Sequence, residues 1–211
     1  MLELRRSDIG FGRVRISDHS VERTTLFGRH ALTWDEIRDY RLTIELTRRL
    51  SNELASTVHL HEVIEGYRGR HGLKLGIELI GDDDTVAFNW RFRDVALAIA
   101  QVVQRIRERF LASAQSTLVS TGAVTFGPLE LSATSVRWNV DELAADKVEA
   151  IELFNSSPVS LRVMARGRVW PHGSVPTAKV PNLLAVLEAL GYVVRGRELL
   201  GVLLIAAPAA P

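Results

Sequence analysis

The residues of this chain that could bind a metal ion are two histidines separated by one position. His59 and His61 lie in a segment whose alternation predicts a strand, so both imidazoles would point to one face, and His71 or Glu62 could add a ligand. Because the spacing fixes no third ligand, we favour a pair of ordinary surface or half-buried histidines. The sequence therefore predicts no metal site and no cofactor.

Acidic side chains occur at two places where carboxylates could do chemistry. The run Asp82-Asp83-Asp84 could offer oxygens to calcium or magnesium, but three consecutive side chains cannot converge, so a solvated hairpin turn is favoured. The pair Asp35-Glu36 lies in a segment that recurs later with Asp146-Lys147 in its place. Since the second acid is lost there, we interpret the aspartates as caps of a short turn rather than as catalytic groups.

Nucleophilic catalysis has no support in the sequence. The chain has no cysteine, no Gly-x-Ser-x-Gly elbow and no glycine-rich phosphate loop. We therefore assign no catalytic residues and expect a protein that is not an enzyme. An enzyme whose site follows no known motif is the alternative.

Two short arginine clusters are the predicted contacts for an anionic surface. Arg48 and Arg49 form one, and Arg68 and Arg70 form the other. Both lie in residues that the first half has in excess of the second, and such insertions often carry function. They would contact anionic lipid or an acidic partner, and the alternative is a set of solvated loop ends.

The composition is that of an ordinary globular protein. The 211 residues are 46% hydrophobic and 24% charged, with a net charge of +1. Without a strongly basic balance, nucleic acid is not a predicted partner. No signal-peptide core and no stretch of roughly 20 apolar residues is present, so we expect a cytoplasmic protein.

The chain repeats itself. A segment that begins at Phe11-Gly12 returns at Phe126-Gly127, and a second segment, from Leu32 to Ile37, returns from Leu143 to Val148. Two such segments in the same order indicate two copies of one domain. The first copy has extra residues around 47–76.

Each copy is predicted to contain strands followed by one helix. About seven short antiparallel strands precede the first helix. That helix is indicated by apolar residues at helical spacing, namely Phe92, Val95, Ile99, Val102, Ile106 and Phe110. The small polar segment 113–121 is expected to separate the copies, which gives domains 1–115 and 119–211.

The second copy is predicted to have strands near 127–132, 135–140, 147–154 and 159–164. Its helix would open at Val180-Pro181-Asn182 and end before Gly191. Trp90 and Trp170 are expected to be buried below the two helices. Trp138 is expected to be exposed at an interface, where tryptophan often contributes strongly to binding.

The Leu32–Ile37 turn, the Phe-Gly pairs and the Val180-Pro181-Asn182 helix entry resemble the bacterial PH-like domain families of unassigned function. The resemblance implies a mostly β (α+β) fold with two PH-like domains. Each would be a bent antiparallel sheet or partly open barrel of about seven strands, fewer or shorter in the second, followed by one C-terminal helix. Such families bind phosphoinositides, peptides or partner proteins and rarely catalyse reactions.

Taken together, these features predict a non-enzymatic interaction or scaffold module. A protein or peptide would add as a strand to an open sheet edge or contact the loops of the first copy. Peripheral binding to an anionic membrane through the arginine clusters is the alternative. A homodimer through paired edge strands is a further alternative.

Overall fold

The computed structural model describes residues 1–5, 12–46, 73–154, 156–189, 191 and 194–195. The fold is mostly β, with 48% of the described residues in strands and 25% in helices. The strands form several antiparallel sheets, and none of the described sheets closes into a barrel. The predicted mostly β class is therefore confirmed at this level. No helix among these residues is long and apolar enough to cross a membrane.

The first half begins with a four-stranded antiparallel meander. Its strands, in sheet order, are β1 (Leu2–Arg5), β2 (Arg13–Ile16), β3 (Ser20–Thr25) and β4 (Gly28–Thr33). The register places Leu4 opposite Val14 and Ile16 opposite Val21, and all four side chains are buried. Because side chains alternate along a strand, this gives the sheet one apolar face.

A three-stranded antiparallel meander and a long helix complete the first half. These elements are β5 (Asp39–Leu46), β6 (Leu73–Ile80), β7 (Thr85–Asn89) and α1 (Val95–Thr121). Five of the six residues predicted to form the apolar stripe are buried, and Val95 is partly buried. The helix begins after Asp94, which has a left-handed conformation.

The second half repeats this order in a shorter form. A four-stranded meander contains β8 (Ala123–Phe126), β9 (Leu129–Ser132), β10 (Ser135–Trp138) and β11 (Asp141–Ala144). A second sheet contains β12 (Val148–Phe154), β13 (Ser160–Ala165), β14 (Gly173–Pro176) and the short parallel strand β15 (Val194–Arg195). The helix α2 (Leu183–Glu188) follows Asn182, which is left-handed like Asp94.

The repeat seen in the sequence is also a repeat of hydrogen bonds. Ser17 Oγ accepts hydrogen bonds from the backbone N–H groups of His19 and Ser20 in the β2–β3 turn. Ser132 Oγ accepts the same two bonds from Thr134 and Ser135 in the β9–β10 turn. The matching serines therefore recur because each fixes the turn between two strands.

The predicted boundary between the halves lies inside α1. This helix continues through the segment 113–121 and ends at Gly122, whose backbone is left-handed. The segment predicted to separate the copies is therefore helical, because small polar residues are tolerated on the exposed side of a helix anchored by Ile106, Phe110 and Ala114. The division into domains 1–115 and 119–211 stays a prediction.

The two halves bond to each other along the outer edge of β5. Asn182 N–H donates to Tyr40 O at 2.8 Å, Tyr40 N–H donates to Asn182 Oδ1 at 3.1 Å, and Val159 N–H donates to Ile44 O at 2.8 Å. The hydroxyl of the buried Tyr40 accepts a bond from Leu184 N–H at 3.1 Å. Burial raises the pKa of Tyr40 well above its usual range. One continuous apolar core connects both halves.

The tryptophan predictions need correction. Trp138 is only 6% exposed, because its ring lies against Gly173, where a side chain would clash with it. Trp90 is 45% and Trp170 80% exposed. Trp90 follows the last strand of its sheet, whereas Trp170 precedes β14, so the two are not equivalent positions.

Candidate interaction site

The edge of β11 is an open row of backbone groups. The β10–β11 turn has two residues, and Trp138 pairs with Asp141, so Glu142 and Ala144 fall at non-hydrogen-bonded positions. Their N–H and C=O groups therefore point away from β10. Within the described residues neither N–H has a hydrogen-bond partner, and both residues are exposed. This edge can pair with an added strand.

The corresponding edge in the first half, on β4, is capped by two acidic side chains. Ala31 N–H donates to Asp84 Oδ2 at 3.1 Å, and Thr33 N–H donates to Glu36 Oε2 at 2.7 Å. The hydrogen bond between Asp84 and His30, 2.7 Å long, lowers the pKa of Asp84, and the bond from Thr33 N–H lowers that of Glu36. Both carboxylates are thus held ionised as acceptors.

One substitution within the repeated motif accounts for much of this difference. Leu32 corresponds to Leu143, so Thr33 corresponds to Ala144 and Glu36 to Lys147. Lys147 is exposed in the 3₁₀ turn Ala145–Lys147 and has no acceptor atom with which to cap Ala144 N–H. The first half caps its edge, and within the described part of the chain the second half has no equivalent cap.

The edge of β5 is not available in the same way. Asn182 and Val159 from the second half already bond to its outer backbone groups at Tyr40 and Ile44. Asn182 Nδ2 also donates to Asp39 Oδ1 at 2.7 Å. An incoming strand would have to displace these contacts.

The side chains around the β11 edge are acidic and apolar. Asp141 and Glu142 are exposed along the strand, and Val140 at the turn is 91% exposed. Arg137 on β10 pairs with Glu130 at 3.1 Å and lies 3.8 Å from Glu142. A partner that carries basic side chains would complement this edge.

A second candidate is a polar cleft of about 360 Å³ between the β2–β3 turn, the Trp34 turn and α1. Arg109 donates to Trp34 O and, at 2.7 Å, to Ile37 O, while Arg105 donates to Asp18 O at 2.5 Å. The Arg105 guanidinium also lies 4.9 Å from the Trp34 ring centre. Both arginines therefore fix these turns to α1 through hydrogen bonds. We interpret the cleft as a structural contact between the turns and the helix rather than as a binding site.

Another cleft, of about 380 Å³, lies over the outer face of β5, β6 and β7. Trp90 forms part of it, with Lys74 Nζ and the Arg91 guanidinium each 5.5 Å from the ring centre. These cation–π contacts explain why an exposed indole is held in place at this position.

The predicted lipid contacts and metal ligands lie outside the described residues. This holds for Arg48, Arg49, Arg68, Arg70, His59 and His61. Within the described ranges, no group of three or more His, Asp or Glu side chains could hold a metal ion. The run Asp82-Asp83-Asp84 forms a turn, in which Asp82 pairs with Arg38 at 2.9 Å and Asp84 caps β4.

The β11 edge was missed because β11 itself was not predicted. The strand has only four residues, two of them acidic, so its alternation is weak. The change from Glu36 to Lys147 was visible in the sequence, but the role of Glu36 as an edge cap needed the register of β4. Neither a scan against protein-family models nor a search of curated proteins finds a match to this chain.

Proposed function

We propose that this protein is a non-enzymatic interaction module that binds a peptide or protein segment as an added strand on β11. The observation that carries the proposal is the contrast between two equivalent edges, one capped by Asp84 and Glu36 and the other uncapped. Exposed edges are normally blocked against pairing, so an unblocked edge beside a blocked copy is a candidate docking site.

The partner segment is expected to be extended and basic. Glu142 offers it an N–H and a C=O and Ala144 offers an N–H, so up to three backbone hydrogen bonds can form, and Asp141 and Glu142 offer negative charge. In the same proposal the halves are two PH-like domains, 1–115 and 119–211, used as a cytoplasmic scaffold. The support for this is the shared order of four strands, three strands and one helix.

Substitution at Ala144 tests the edge directly. Ala144 has φ −59°, which proline adopts without strain, and its N–H points away from β10. Ala144→Pro should therefore leave the fold intact while removing one edge donor. Ala144→Val retains the N–H and is the matched control.

The measurement is a selection of displayed random peptides on the full-length protein, followed by affinity measurements with each variant. We expect basic peptides whose affinity falls about tenfold with Ala144→Pro and is unchanged with Ala144→Val. Lys147→Glu, which restores the acid of the first copy, should also weaken binding, whereas Lys147→Ala should not. Failure to select any peptide, or equal binding to wild type and Ala144→Pro, would contradict the proposal.

A further inference from the structure

The β3–β4 turn presents two apolar side chains to solvent. Leu26 is 68% and Phe27 is 97% exposed. The turn is fixed from within, because Thr25 Oγ1 accepts a bond from Phe27 N–H at 3.2 Å and donates to Gly28 O at 3.3 Å. A short, hydrogen-bonded turn cannot fold these side chains back onto the core, so they form a convex apolar tip.

A row of arginines lies directly behind this tip. The sheet register aligns Arg5, Arg13, Thr24 and Arg29 across β1, β2, β3 and β4. Residues opposite each other in a sheet share a face, so the three guanidinium groups lie on one side, across strands about 4.8 Å apart. Their side chains are 81%, 46% and 64% exposed for Arg5, Arg13 and Arg29.

The acidic partners of this row leave it positively charged. Glu3 pairs with Arg5 at 3.1 Å and also with Arg13, and Glu22 pairs with Arg29 at 2.6 Å. Three arginines thus face two glutamates. Exposed ion pairs of this kind contribute little to stability, so these arginines can exchange a carboxylate for a lipid phosphate at small cost.

We propose that Leu26 and Phe27 insert into the interface of an anionic membrane while Arg5, Arg13 and Arg29 contact its phosphates. The apolar tip suits the acyl boundary of such a membrane, and the row of arginines behind the tip suits its anionic headgroups. The site is separate from the β11 edge. It also uses none of the arginines of the segment 47–72.

The equivalent turn in the second half provides an internal comparison. Val140 is 91% exposed at the tip of the β10–β11 turn, but Asp141 and Glu142 follow it. An anionic surface would repel these carboxylates. The two tips therefore have similar exposure and opposite charge, and only the first should enter a membrane.

The absence of cysteine from the chain allows a direct test of insertion. Phe27→Cys and Val140→Cys would each be labelled with one environment-sensitive fluorophore and mixed with vesicles of phosphatidylcholine alone or with phosphatidylglycerol. We expect the label at position 27 to report an apolar environment only with the anionic vesicles. The label at position 140 should not respond, which controls for binding driven by the dye itself.

Unlabelled variants test each part of the surface by vesicle co-sedimentation. Phe27→Ser should weaken binding to the anionic vesicles about tenfold, and Arg13→Gln or Arg29→Gln should weaken it about fivefold each. Val140→Ser should bind like wild type. Raising the salt concentration from about 0.1 M to about 1 M shortens the Debye length to about 3 Å. This screening should weaken the binding of wild-type protein to the anionic vesicles.

Three results would overturn the proposal. They are wild-type protein that does not associate with anionic vesicles, equal losses for Phe27→Ser and Val140→Ser, and a label at position 27 that stays in water. All these positions are exposed, so circular dichroism and melting temperature should be unchanged in every variant. A tip that instead contacts a protein would give the third result.

Discussion

Asp84 connects the β6–β7 turn to the edge of β4 through one carboxylate. It lies 2.7 Å from His30 Nδ1 and accepts a bond from Ala31 N–H at 3.1 Å. Thr85 N–H donates to the same group at 2.8 Å. These bonds favour the ionised form, which is why the pKa of Asp84 is lowered.

A lowered pKa in the folded state makes this carboxylate a source of pH-dependent stability. Its contribution is fully present above the unfolded pKa, near 3.9, and is lost as pH falls through the lower folded value. We therefore expect the free energy of unfolding in urea to fall less between pH 5 and pH 2.5 for Asp84→Asn than for wild type. Asp83→Asn, which removes the neighbouring acid, should follow the wild-type curve. Parallel curves for all three proteins would show that the Asp84 bonds do not stabilise the fold.

Gly173 is a second residue whose type is fixed by its neighbour. A side chain at this position would overlap the ring of Trp138, the buried end residue of β10. We expect Gly173→Ala to lower the free energy of unfolding by about 1–3 kcal/mol, the usual cost of overpacking a core. Urea denaturation measures this loss.

The partner substitution tests whether the clash is the cause. Trp138→Phe makes room on the ring side, so the loss caused by Gly173→Ala should be smaller in that background. If both backgrounds lose the same stability, the Gly173 effect comes from the backbone instead.

The edges of the two four-stranded sheets show how one fold element can be open or closed to pairing. β4 is closed by Asp84 and Glu36, and β11 lacks these caps. The side chains that block β4 lie outside the strand itself, on the turns that follow β4 and β6. Edge protection is therefore a property of neighbouring turns rather than of strand sequence.

Removing both caps should convert β4 into a pairing edge. Glu36→Lys together with Asp84→Ala leaves the N–H groups of Ala31 and Thr33 without these acceptors. We expect this double variant to self-associate in a concentration-dependent manner by light scattering, in contrast to Lys147→Ala. A double variant with the same mass distribution as wild type would show that other features keep β4 unpaired.

Elements with strong patterns could be predicted from the sequence, and some short ones could not. The stripe from Phe92 to Phe110 predicted α1, and the strands predicted near 147–154 and 159–164 agree with β12 and β13. The strands β8, β11 and β14 have four residues each, and β14 ends at Pro176. Their pairing depends on contacts distant in sequence, which periodicity does not report.

The candidate sites depended even more on distant contacts. To predict the β11 edge, the arginine row or the tip at Phe27, one must know which residues pair across the strands. A shift of this register by one residue would move each side chain of a strand to the opposite face of the sheet. The exposure of the tryptophan side chains also could not be predicted from the sequence. Trp138 is buried by a glycine 35 positions away in the chain, and Trp170 has no such neighbour among the described residues.

The two halves of the protein are joined by more than the connection between them in the chain. The core is continuous, α1 passes through the predicted boundary, and Arg107 on α1 bonds to Glu188 of α2 at 2.7 Å. Asn182 joins the start of α2 to β5 through three hydrogen bonds. Such an interface favours unfolding of both halves together.

We therefore expect full-length protein to unfold in a single calorimetric transition, and Asn182→Ala to shift that whole transition to lower temperature. The variant loses the side-chain bonds to Tyr40 N–H and Asp39 and places alanine in a left-handed conformation, which together should cost about 2–4 kcal/mol. A fragment 1–122, which retains all of α1 but exposes the β5 edge, should be less stable than the full chain and more prone to aggregate. Two separate transitions, with only the second shifted by Asn182→Ala, would instead establish two independently folding domains and make the β5 contacts a weak docking of one on the other.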